Sequence, residues 1–135
     1  MDFKLKNDEQ VRTVRCAKGS ATVIEAGDLV AIDTGLIIKA TNASTALGYA
    51  PYGAANGDLF VEVTVGNDFT LIGTADANFA VAKKGATVDL VVTNNVQLID
   101  LGTSSTNVLK VGIAEDAGVV GSTKNVEVKI NKPLF

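Results

Sequence analysis

Short apolar runs set off by glycine turns punctuate this chain. A turn followed at once by a strand-like run occurs three times: Ala26-Gly27-Asp28 before Leu29-Val30-Ala31-Ile32, Asn56-Gly57-Asp58 before Leu59-Phe60-Val61, and Lys84-Gly85-Ala86 before Thr87-Val88-Asp89-Leu90. A second phrase recurs as Leu47-Gly48-Tyr49-Ala50 and Val111-Gly112-Ile113-Ala114. Glycine supplies the positive φ of tight turns, and β-branched side chains suit the pleated strands beside them. The pattern is that of strand, turn, strand.

Residues 1–10 are polar without a period and predict an arm. Residues 11–16 alternate loosely, as an edge strand does. Residues 21–24 predict a short strand. Residues 29–32 and 36–39 predict a hairpin closed by Asp33-Thr34-Gly35. Residues 59–65 alternate with Val61, Val63 and Val65 inward and Glu62 and Thr64 outward. Residues 69–72 predict another strand. The alanines of residues 75–83 permit a helical turn. The clearest hairpin joins residues 89–93 to 96–100 through Asn94-Asn95, since asparagine tolerates the left-handed geometry of a two-residue loop. Residues 108–113 and the strictly alternating 126–130 complete the set. Regularly spaced short strands predict an all-β fold: a compact β-sandwich or small β-barrel-like domain with an extended N-terminal arm. The expected division is an arm over residues 1–15 and a single β-domain over 16–135.

Composition sharpens this picture. The 135 residues are 47% hydrophobic but only 5% aromatic, so the core must come from Val, Ile, Leu and Ala. No apolar run approaches the ~18 residues of a membrane helix. The first residues lack the apolar stretch of a secretory signal, which predicts synthesis in the cytoplasm. The lone Cys16 cannot form an intrachain disulfide and reads as a small buried hydrophobe. The net charge of −3 argues against nucleic acid as a direct partner. Its distribution is uneven: residues 1–20 carry a net +2 and both arginines, residues 21–116 a net −7, and the remainder a net +2.

Catalytic vocabulary is sparse. There is no His and one Cys, so neither a transition-metal cage nor a serine nucleophile with a histidine base is expected, and no cofactor is implied. The acids are scattered without the regular spacing of a calcium loop. Asp33-Thr34-Gly35 echoes the triplet of retroviral-type dimeric aspartic proteases, which pair two such carboxylates. Leu36 stands where those proteases carry Ala or Ser, and a hairpin turn explains the same residues. Tyr49 and Tyr52 flank Pro51 in a predicted loop and are candidates for contact with a sugar or protein surface, or for burial.

The order of these phrases resembles that of the decoration, or cement, proteins of tailed-bacteriophage capsids. The residues carrying the likeness are Ala26-Gly27-Asp28-Leu29-Val30, Gly48-Tyr49-Ala50, Lys84-Gly85, Val111-Gly112-Ile113-Ala114 and the final alternating strand from Val126 to Ile130. Cys16-Ala17-Lys18 replaces the Ala-Pro often found in that family before the first glycine turn. The resemblance implies a non-enzymatic structural virion protein, made in the infected cell. It would bind the major capsid protein on the outer face of an icosahedral shell, as a homotrimer, and stabilise that shell. A sugar- or receptor-binding β-module on a phage or cell surface is the alternative, and an aspartic protease the remote one.

Within the resemblance, the arm is the expected site of shell binding. It is aperiodic and so expected to be mobile when free, and it carries both arginines, whose planar guanidinium suits carboxylates. Lys4, Lys6, Arg12 and Arg15 are expected to meet acidic groups, with Phe3 and Leu5 as apolar anchors. The competing expectation is that the arm is an edge strand of its own domain or of a sister subunit.

Overall fold

Each glycine turn delivers a strand. The computed structural model describes residues 2–135, Asp8 by its backbone alone. In chain order the strands are β1 Lys4–Leu5, β2 Thr13–Ala17, β3 Asp28–Asp33, β4 Leu36–Lys39, β5 Gly48–Ala50, β6 Phe60–Thr64, β7 Leu71–Gly73, β8 Thr87–Thr93, β9 Val96–Asp100, β10 Leu109–Val111 and β11 Val126–Ile130. The helical structure among the described residues is two single 3₁₀ turns, Lys6–Asp8 and Val81–Lys83. The second is the helical turn that the alanines of residues 75–83 permit. The predicted strand at 21–24 shrinks to one antiparallel bridge, Ile24 with Ala54.

The strands form a six-stranded sheet in the order β1-β7-β11-β10-β8-β9, a three-stranded sheet β4-β3-β5 and a two-stranded pair β2-β6. All strand pairs are antiparallel. The three-stranded sheet lies between the other two. Leu29, Ala31, Ala40 and Tyr49 face the six-stranded sheet and join Leu71, Val88, Leu90, Ile99, Val128 and Ile130 in one large core cluster. Val30, Ile37 and Ala50 face the other way and meet Val61 and Val63 of β6 in a smaller one. A strand buried on both faces loses its alternation, and Leu29-Val30-Ala31 is an unbroken apolar run for that reason. The β2-β6 pair curls over the small cluster. It touches β4 at the Lys18–Ile37 bridge and β5 where Tyr49 N–H donates to Thr64 Oγ1 at 2.9 Å. The result is barrel-like but not a closed barrel.

Three buried polar side chains fasten this framework, Gln97 between two sheets and Lys18 and Asp89 between strands and their flanking turns. Gln97 of β9 is fully buried. Its Oε1 accepts from Leu29 N–H at 2.8 Å, and its Nε2 donates to Leu29 C=O at 2.7 Å. The side-chain amide thus does for β3 what a neighbouring backbone would do. Lys18 is 2% exposed. Its ammonium donates to three carbonyls, of Gly19, Thr22 and Asp58, at 3.0, 2.6 and 2.6 Å. A buried charge is tolerable when hydrogen-bonded in this way. Asp89 Oδ1 accepts from the N–H groups of Thr106 and Asn107 and, with Oδ2, from Ser105, which orders the Ser/Thr loop. Burial opposes ionisation of Asp89, but those N–H donors outweigh it and hold the carboxyl below its ordinary range.

Both predicted hairpins form, but Asp33 belongs to β3 and pairs with Leu36, so the expected three-residue loop Asp33-Thr34-Gly35 narrows to Thr34-Gly35. Asn94 and Asn95 adopt φ of 51° and 64°, and Thr34 and Gly35 adopt 48° and 84°. Paired positive φ values give the turn whose twist matches the flanking strands. Thr64 departs from expectation: β5 covers it, so the outward residue of the alternation is buried.

The N-terminal segment is also corrected. Met1 lies outside the described residues, but residues 2–15 are stitched into the domain rather than extended from it. Phe3 is 1% exposed in the large cluster, with its N–H donating to Gly27 C=O at 3.0 Å. Its ring occupies the space over Gly73, where any Cβ would collide with it. β1 forms one edge of the six-stranded sheet through Lys4–Ile72 and Leu5–Leu71. β2 pairs with β6 over its full length. One aromatic anchor and two short pairings replace the mobility expected from the missing period.

Candidate partner interface

The six residues expected to bind a partner separate into two groups. Phe3 is spent on its own core, and Leu5 packs half-buried against it. Lys6 is engaged internally: its ammonium lies 2.7 Å from Glu127 and 3.3 Å from Asp116. The hydrogen bond to Glu127 above all raises its pKa. Phe3 as a partner's anchor is therefore corrected, and the acidic groups that Lys6 meets belong to its own domain. Lys4, Arg12 and Arg15 stay exposed.

Arg15 is the one with a built surface around it. On the outer face of β2-β6 the register places Arg15 opposite Glu62 and Ala17 opposite Phe60. Arg15 and Phe60 are diagonal neighbours, and the guanidinium carbon sits 4.0 Å from the centre of the Phe60 ring. This cation–π contact fixes a flexible side chain over an exposed aromatic. Thr13 Oγ1 donates to Glu62 Oε2 at 2.8 Å, which turns that carboxylate along the strand. The other face of the pair, Val14, Cys16, Val61 and Val63, turns toward the small cluster. Cys16 is half-buried there, and burial pushes its thiol pKa up, with the Glu62 charge adding to the effect.

Beside Arg15 lies a shallow hollow of about 260 Å³, with Tyr52, Asp58, Leu59 and Phe60 in its walls. Tyr52 also borders a second hollow with Leu5, Glu9, Gln10, Val11 and Pro51, so its exposed ring forms a ridge between the two. Leu59 and Phe60 are exposed as well. The Lys18 cage holds this edge in place: Lys18 N–H donates to Leu59 C=O at 2.9 Å while its ammonium grips Asp58. Tyr49, the other candidate aromatic, is buried against Phe69 at a ring separation of 6.5 Å.

Sequence reasoning singled out Arg15 and Tyr52 but missed Leu59, Phe60 and the role of Lys18. The signal for Phe60 was present. It follows a glycine turn in an alternating strand, and the alternation that buries Val61 and Val63 exposes it.

Asp33 lies exposed where the β3-β4 hairpin begins to turn, opposite Leu36. Thr34 and Gly35 are the loop itself. The triplet serves as a turn. Among the described residues no group of three His, Cys, Asp or Glu side chains is placed to hold a metal, and no helix is long and apolar enough to cross a membrane.

Comparison with protein-family models, with curated proteins and with solved structures returns no match.

Proposed function

We propose that this chain is a non-catalytic structural protein that binds and stabilises the outer surface of an icosahedral phage shell as a homo-oligomer. The Arg15–Phe60–Tyr52–Leu59 face would contact the major capsid protein. The observation that carries the reading is an arginine fixed over the exposed Phe60 ring on β2-β6, with the exposed Leu59 and Tyr52 beside it in the same hollow. Arg and aromatics concentrate binding energy at protein interfaces. The basic N-terminal segment supplies the charge for an acidic surface through Arg12 and Arg15. The phrase order shared with capsid decoration proteins supplies the identity of the partner. The alternative, a sugar- or receptor-binding module, draws on the exposed Tyr52 ring, since a planar aromatic offers a stacking surface.

Electron microscopy of expanded empty shells, assembled from the capsid protein encoded alongside this chain and mixed with it, tests the reading. Extra density on the outer surface is expected, with occupancy lost in the double variant Arg15→Glu, Phe60→Ser. Bare shells at micromolar protein would overturn the assignment. Retained glycan binding by a protein that leaves shells bare would favour the alternative.

A further inference from the structure

The solvent face of the six-stranded sheet carries two lysines directly opposite one another. Lys110 of β10 is the register partner of Lys129 of β11. Their strand neighbours Leu109, Val111, Val128 and Ile130 point into the large core, so both lysines project from the outer face, where both are exposed. Like charges directly across a strand pair are destabilising. Lysines on sheet edges guard against pairing with other chains, but β11 and β10 are the two central strands of the order β1-β7-β11-β10-β8-β9. Edge protection therefore does not account for them. Proteins break such local rules chiefly where a function is served.

The fold leaves this pair without a firm counter-charge. Among the described residues Lys110 has no ion-pair partner. Lys129 has Asp68 at 4.0 Å, with the Asp68 side chain fully exposed, so water screens the contact. A hollow of about 340 Å³ opens beside the two lysines. Glu127 lines it, but Lys6 already holds that carboxylate at 2.7 Å. Thr70 brings a hydroxyl to the hollow, and Ala114 and the 76% exposed Ile113 bring apolar carbon. The loop that carries them is tied to β11, because Gly112 N–H donates to Glu127 C=O at 2.9 Å.

Two cations, a hydroxyl and an apolar wall around one hollow match a single ligand class. A phosphate monoester carries up to two negative charges and three acceptor oxygens at neutral pH, and lysine binds phosphate as a point charge. We infer that the hollow formed by β10, β11 and residues 112–114 is a binding site for a phosphate monoester with an apolar body, its dianion set between Lys110 and Lys129. The three-stranded sheet separates this site from the Arg15 face, and the inference stands or falls independently of the shell-binding reading.

Amide chemical-shift titration of the full chain at pH 8, in phosphate-free buffer with 150 mM chloride, is the test. Phenyl phosphate is the probe, with inorganic phosphate and benzoate as comparisons. Saturating shifts are expected at Lys110, Ile113 and Lys129. Phenyl phosphate should bind at least threefold more tightly than inorganic phosphate, which lacks the ring, and than benzoate, which carries one charge. Lys110→Gln and Lys129→Gln should each weaken it at least fivefold. Lys129→Glu should abolish binding and raise the thermal midpoint, because Lys110 then faces an opposite charge. No saturation up to 50 mM phenyl phosphate overturns the inference, as does an affinity that neither glutamine changes. Equal affinity for inorganic phosphate or for benzoate also overturns it, since the apolar wall or the second lysine would then contribute nothing. A lowered thermal midpoint in Lys129→Glu would remove its premise, that the pair opposes folding.

Discussion

The two faces of the β4-β3-β5 sheet are stabilised by different means. Toward the six-stranded sheet, twenty buried apolar residues among those described form one cluster, with Phe3, Phe69, Tyr49 and Phe79 as its large members. Toward the β2-β6 pair the cluster has seven, none aromatic. Hydrophobic burial scales with area, so the first face can hold itself together. The second relies on polar fastening: the Lys18 cage, the Thr64–Tyr49 hydrogen bond and one β-bridge to β4. The weaker side is the one that carries the Arg15 surface. A partner seated there would cover the less apolar side of the molecule and stabilise it by mass action.

The largest expected effect comes from the stronger face. Phe3→Ala removes a buried ring and should destabilise the protein by about 3–5 kcal/mol, read from urea unfolding. A loss under 1 kcal/mol would mean that the N-terminal segment is not part of the core in solution. Gly73→Ala should act in the same direction, because the new methyl takes the place of the ring.

Lys18→Met tests the weaker face. It leaves three carbonyls without their shared donor, and about 2–4 kcal/mol is expected from lost charge-assisted hydrogen bonds. The same variant should loosen Leu59 and Asp58, so partner binding should fall more than stability alone explains. If Lys18→Met unfolds at the wild-type urea midpoint, the contrast between the faces is wrong. Gln97→Leu probes the join between β9 and β3. It orphans Leu29 N–H, at a cost of about 1–3 kcal/mol.

The pH dependence separates two buried carboxyls. Asp28 is 1% exposed, and burial pushes its pKa above the ordinary 3.8, with the Glu25 N–H and Lys39 opposing and Asp2 and Glu25 adding to the rise. A raised carboxyl favours folding at acid pH, and that contribution is lost as pH rises through the folded value. Asp28→Asn should therefore gain on the wild type as pH increases from 4 to 7. Asp89 has the opposite sign. Its lowered pKa contributes stability above 3.8 that is lost as pH falls through the folded value. The deficit of Asp89→Asn should be full at pH 7 and vanish toward pH 2. Urea unfolding of both variants across this range should give slopes of opposite sign.

The smallest effect on folding, and the largest on binding, belongs to Arg15→Ala. An exposed cation–π contact contributes about 0.5–1 kcal/mol. A larger loss would make Arg15 a structural residue and move the interface elsewhere.

What the sequence made legible was local. The Asn94-Asn95 and Thr34-Gly35 hairpins, the glycine-turn strands and the alternation of β11 all follow from neighbours in the chain. What it concealed was long-range. Phe3 belongs to the core because Gly73, far along the chain, leaves room for its ring. Lys18 is buried because three carbonyls from two separate turns converge on it, and no periodicity announces that. Thr64 follows the outward period of its strand and is covered by β5. The candidate site divided in the same way. Arg15 could be placed on an exposed face by alternation, whereas Lys6 met a carboxylate that the sequence could not bring near it.

The Gln97 bridge has a spectroscopic consequence. The Leu29 amide is protected by a side chain and not by a neighbouring strand, so its hydrogen exchange reports on the rotamer of one glutamine. The two Nε2 protons of Gln97 are themselves shielded, since they point at Leu29 and Ala40 carbonyls in a fully buried site. A side-chain amide pair that persists in deuterated solvent as long as the slowest backbone amides would mark the moment at which the six-stranded sheet parts from the layer beneath it.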